Sequence, residues 1–122
     1  MKAMIAVLPL MLATPAHAHV ELVASNPAAG ASVAKPTRMS LSFSAPLAAD
    51  KSSVDLIMTA MPGMTDHPPM PIKGFKTETG ADGRSIVLTL PRPLPSGTYE
   101  LRWRAAGADQ HEMQGRYGFT VR

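Results

Sequence analysis

Apolar and polar residues alternate along most of this chain with the period of two that a half-buried β-strand imposes. The pattern is clearest at residues 38–44, where serines separate Leu41 from Met39 and Phe43, and at 98–104, where charged residues separate Tyr99, Leu101 and Trp103. Tyr117, Phe119 and Val121 make a last inward stripe over 117–122. Residues 84–90 predict a further strand, 53–59 one with weaker alternation, 72–75 a short edge strand, and 19–25 a first strand stopped by Asn26-Pro27. Between them lie turn chemistry at 28–32 and 78–83, a proline-rich bend at 91–97 and a loop at 106–112. The segment from Thr59 to Pro71 holds Pro62, Gly63, Pro68, Pro69 and Pro71, so it predicts a long loop, unfit for a helix or a central strand. About seven short strands and no helix indicate an all-β fold, a small antiparallel β-sandwich, with no internal repeat.

The N-terminus departs from this pattern. Lys2 and an apolar run from Ala3 to Ala13 precede Ala16 and Ala18, the two small residues a signal peptidase reads. Residues 1–18 are expected to be a secretory signal peptide and 19–122 the mature domain, with His19 as the new N-terminus. A cut after Ala16 would instead put His17 first. The leader is too short and wrongly flanked for a transmembrane helix, and no later run approaches the ~20 apolar residues of a span, so no membrane span is expected in the mature chain.

Composition narrows the chemistry. The chain has no cysteine, which removes disulfides and thiolate ligands, so any metal must use His, Met, carboxylate or the terminus. The formal charge of +3 falls to +2 without Lys2, and the remaining Lys and Arg are scattered, which excludes nucleic acid as an expected partner. No Gly-x-Ser-x-Gly, no cysteine and no suggestive carboxylate pair support nucleophilic catalysis.

Two constellations remain. After cleavage the histidines are His19, His67 and His111. A terminal histidine offers its α-amine and imidazole as a chelate, and Asp109-Gln110-His111 in extended chain directs a carboxylate and an imidazole to one side. Together these make the tetragonal N,O set that copper(II) prefers. Against this, an Asp-x-His in a loop is ordinarily a solvated turn. The second constellation is Met58, Met61, Met64, His67 and Met70, a soft ligand at every third residue. Polyproline II has three residues per turn, so this spacing would line the ligands along one edge, and thioether sulfur favours copper(I). Methionines also fill core gaps; Met58 at a strand end fits either role, Met39 on an apolar stripe belongs to the core, and Met113 beside the His111 loop is open.

Residues spread over the whole mature chain resemble the CopC-type periplasmic copper-resistance proteins: the Ala-x-Ala leader before His19, Ser25-Asn26-Pro27-Ala28-Ala29-Gly30-Ala31, Leu41-Ser42-Phe43-Ser44, the methionine loop, residues 97–104 running into Asp109-Gln110-His111, and Gly118-Phe119-Thr120-Val121. The resemblance implies a Greek-key sandwich of cupredoxin-like or immunoglobulin-like form, exported to the periplasm. It implies copper(II) at His19, Asp109 and His111, and copper(I) at Met61, Met64, His67 and Met70, with Met58 as a further candidate. This chain departs from the family's common Asp-Gly-His-Pro in having Gln110 and Glu112. The expected function is a non-enzymatic copper carrier or buffer that hands copper to a membrane or periplasmic partner. The rivals are a terminal-histidine copper oxidoreductase similar to the polysaccharide monooxygenases, and a metal-free interaction module.

Overall fold

The structure is a computed structural model that describes residues 20–64, 68–108 and 111–122. Nine strands form two sheets: β1 (Leu22–Asn26), β2 (Ser32–Val33), β3 (Arg38–Phe43), β4 (Ser53–Ala60), β5 (Met70–Pro71), β6 (Lys76–Thr79), β7 (Ser85–Thr89), β8 (Gly97–Ala106) and β9 (Glu112–Val121). One sheet has the order β1-β3-β7-β6, the other β2-β9-β8-β4-β5. Sequence neighbours β3 and β4 thus lie in different sheets, while β3 pairs with β7 and β4 with β8. These crossings between layers are those of a Greek-key sandwich.

The alternating stripes meet in the middle. Met39, Leu41 and Phe43 of β3, Leu56 and Met58 of β4, Ile86 and Leu88 of β7, Tyr99 and Leu101 of β8, and Phe119 and Val121 of β9 are all buried in one core. Each fully buried aliphatic side chain there contributes roughly 1.5–3 kcal/mol of transfer free energy. One ring contact joins the layers, Phe43 of the first sheet meeting Trp103 of the second edge-on with centroids 5.2 Å apart, and within the second sheet Tyr99 stacks on its cross-strand partner Phe119 at 5.5 Å. The Tyr99 hydroxyl is not stranded, because it donates a hydrogen bond to the Pro95 carbonyl oxygen at 2.7 Å.

Several elements differ from the sequence expectation for identifiable reasons. Residues 72–75 are not a strand. Gly74 has φ +86°, Ile72 and Phe75 turn in against the core, and the segment carries the chain from one sheet to the other, between edge strands β5 and β6. β6 is exposed at all four positions, so it shows no alternation, and the turn that follows shrinks to Gly80–Gly83, closed by the Gly83 N–H on the Gly80 oxygen at 3.0 Å. β9 starts five residues earlier than its apolar stripe. Its inward position 115 is a glycine because the Trp103 ring lies over it: a Cβ there would be 2.6 Å from Cζ2. The sandwich is also not purely antiparallel. Two-residue β2 runs parallel to the end of β9, where the Ala31 and Val33 oxygens accept from the Thr120 and Arg122 N–H groups, each at 2.8 Å. This strip satisfies the backbone groups that β9 would otherwise leave open at an edge.

Candidate metal centres

The methionine segment is organised by β-pairing, in place of the polyproline edge expected from its spacing. Met58 of β4 lies opposite Met70 of β5. Three residues on, Met61 and Met64 form an isolated antiparallel bridge around Pro62-Gly63, with Gly63 at φ +80°. Residues opposite each other in a β-pair project from one face, so each pair presents its two thioethers together.

A bulge brings the two pairs to the same face. In an unbroken strand residues 58 and 61 would point to opposite sides. The β4–β8 register instead runs Met58 to Tyr99 and then Ala60 to Thr98, so two residues of β4 span one of β8. Met61 is thereby turned back to the inner side, where it packs against the core as Met58 does. Gly97, the next residue of β8, makes this possible. A Cβ there would lie 2.6 Å from the Ala60 carbonyl oxygen and 3.1 Å from Met58 Cε. The sequence showed Gly97 only as part of a bend, because the need for it arises on another strand.

Burial then separates the four methionines. Met58 is 3% exposed, Met61 is half-buried, and Met64 and Met70 are 50% and 49% exposed. His67 lies outside the described residues.

Of the second constellation only His111 is among the described residues, at the other end of the sandwich. His111 is exposed at the mouth of the β8–β9 hairpin, directly before Glu112, which pairs with Ala106. The described chain enters at this same end. Val20 is fully buried, and the Glu21 oxygen accepts from the Ser44 N–H at 2.9 Å just past the end of β3. The β3–β4 connection is in turn tied to the end of β8 by the Ala48 N–H on the Ala106 oxygen at 2.8 Å. His19 and Asp109 lie outside the described residues, and among the described residues no three His, Asp or Glu side chains converge. Met58 pairs with Tyr99, and Ala106 closes the far end of the same strand; at about 3.4 Å per residue the methionine pairs and the mouth of the β8–β9 hairpin are roughly 25 Å apart.

Elsewhere among the described residues, electrostatics offer no competing centre. The outer face of the five-stranded sheet carries Arg102, Arg104, Arg116 and Asp55 around a groove of about 490 Å³. Arg102 is ion-paired with Glu100 and Arg104 with Glu112 at 3.4 Å, so charges of both signs are interleaved there.

Comparison with known proteins agrees with this architecture. The CopC domain family matches residues 22–122. The chain is 44% identical over 111 residues to copper resistance protein C of Escherichia coli, covering 91% of this chain and 87% of that protein. It is 40% identical over 113 residues to copper resistance protein C of Pseudomonas syringae pv. tomato, covering 93% and 88%. Among solved structures, PcoC, a copper resistance protein from Escherichia coli, superposes with a TM-score of 0.78 at 44% identity, over 84% of this chain and 99% of that one. CopC from Methylosinus trichosporium OB3b superposes with a TM-score of 0.67 at 29% identity, over 84% and 93%. With a family match across nearly all of the described sandwich and relatives at 40–44% identity, this chain belongs to the CopC domain family.

Proposed function

We propose that this chain is an exported, periplasmic copper-binding protein, a non-enzymatic carrier or buffer in copper resistance that passes copper to a membrane or periplasmic partner. The names of its relatives support the metal. The observation that carries the assignment is the convergence of Met58, Met61, Met64 and Met70 on one face through two β-pairs and a bulge. Three or four thioethers with an adjacent histidine suit copper(I) and suit zinc or hard cations poorly. In this reading Met61, Met64, His67 and Met70 bind copper(I), and Met58 closes the site from beneath.

Copper(II) is assigned to the other end. Signal-peptide removal after Ala18 would give His19 a free α-amine, and that amine and its imidazole, with Asp109 and His111, make a tetragonal N,O set. The chain's entry at Val20 beside the hairpin that carries His111 supports this grouping. An oxidoreductase acting on polysaccharide is less well served. Phe43, Tyr99 and Phe119 are buried and Phe75, Trp103 and Tyr117 half-buried, which leaves no aromatic platform among the described residues.

Copper(I) competition with a chromophoric chelator tests the loop. Changing Met61, Met64 and Met70 to Leu should weaken binding by about a hundredfold or more, and unchanged affinity removes the loop from the assignment. For the terminus, a mature protein carrying one extra residue before His19 loses the α-amine as a ligand, and its copper(II) spectrum should change. An identical spectrum rejects the terminal chelate.

A further inference from the structure

One methionine outside the loop lies at the edge of the core, two residues after His111. Along β9 the odd positions face inward and the even ones outward: 112, 114, 116, 118 and 120 are exposed, while 113, 115 and 117 are half-buried and 119 and 121 buried. Met113 therefore lies on the inner side, opposite Ala105. Ala105 is fully buried and offers only a methyl group there. Trp103 and Tyr117, half-buried on the same side, pack against the core, and Met113 is half-buried beyond them, at the end of the sheet from which the hairpin loop departs.

His111 has the same parity as Met113, two positions earlier, and it is exposed. The intervening Glu112 faces the other way, toward Arg104 at 3.4 Å. In extended chain, side chains two residues apart on one side start about 6.8 Å apart. A methionine with its three rotatable bonds and an imidazole both reach an ion placed between them.

We propose that Met113 is a thioether ligand beside His111, so that the histidine end of this protein holds copper(I) as well as copper(II). The inference rests on the reading that His111 binds copper. The imidazole serves both oxidation states, whereas the thioether adds affinity chiefly for copper(I). With Met113 this end keeps a soft ligand for copper(I) beside the imidazole.

The test uses the mature, full-length chain with Met58, Met61, Met64 and Met70 changed to Leu and His67 to Ala, so that copper(I) at the loop no longer masks the other end. Copper(I) is supplied directly and its binding read by chelator competition. The expected result is that this variant still binds one copper(I), and that adding Met113→Leu weakens it by about tenfold or more while copper(II) affinity changes little. X-ray absorption should show copper–sulfur scattering in the first protein and none in the second. Absence of copper(I) binding in the loop variant overturns the proposal, as does an affinity that Met113→Leu leaves unchanged. His111→Ala separates the two levels: if it abolishes copper(II) binding while Met113→Leu does nothing to copper(I), only the Met113 assignment fails. If His111→Ala leaves copper(II) bound as before, the reading beneath it fails as well.

Discussion

Met61 and Met64 exchange both of their backbone hydrogen bonds, the Met64 N–H donating to the Met61 oxygen at 2.9 Å and the Met61 N–H to the Met64 oxygen at 3.2 Å. The turn between them needs a residue at φ +80°, which Gly63 supplies, and a side chain there would meet nothing within 4 Å. Only backbone strain therefore opposes substitution. Gly63→Val should cost the turn about 1–2 kcal/mol and weaken copper(I) binding by about tenfold, with copper(II) binding unaffected. Gly63→Asn, which tolerates the left-handed region, should be milder. Chelator competition on the two variants checks the order, and equal affinities would refute the role of the turn.

Gly97 is constrained by space instead. Its absent Cβ leaves room for the Ala60 oxygen and Met58 Cε at the bulge, and a backbone carbonyl cannot swing aside as a side-chain tip can. Gly97→Ala should destabilise the fold by about 1–3 kcal/mol in urea denaturation and also weaken copper(I) binding. Gly115→Ala is the control. It sets a methyl group 2.6 Å from Trp103 Cζ2 and should lower stability comparably, yet leave the methionine face intact at the opposite end of β8.

Separation of the two ends along β8 predicts independence. Mutations more than about 10 Å apart without shared partners add, and the methionine pairs and the hairpin mouth are roughly 25 Å apart by strand length. The Met-to-Leu loop variant should keep the wild-type copper(II) spectrum, and a residue added before His19 should leave copper(I) affinity at the loop unchanged. A change in either spectrum or affinity caused from the far end would show coupling that this geometry does not contain.

Alkaline pH should unfold the protein through its buried phenols. Burial pushes the Tyr99 hydroxyl up to about 12 from its ordinary 10, and burial raises Tyr117 in the same direction. A folded-state value above the unfolded one means that the native state holds the proton more tightly. Stability from this source is complete below pH 10 and drains away between 10 and about 12. Tyr99→Phe should flatten that decline in urea midpoints measured across the range; an unchanged slope would mean that Tyr99 ionises equally in both states.

The sequence by itself determined the fold class, most of the strands and the core. The residues that alternate at period two, such as Met39-Leu41-Phe43 and Tyr99-Leu101, are the ones that bury apolar surface, and burial is what holds a sandwich together. It also singled out the soft and basic ligand types, because so few exist in a chain without cysteine. Tertiary structure decided what no local pattern records. β6 is exposed throughout, and β2 exists only because β9 offers it an edge. The start of β9 is hidden because Gly115 yields its space to a tryptophan on the neighbouring strand. The common face of Met58, Met61, Met64 and Met70 comes from cross-strand register and a bulge that depends on Gly97. Spacing along a chain fixes direction only while the backbone is regular, and here a one-residue irregularity reverses it.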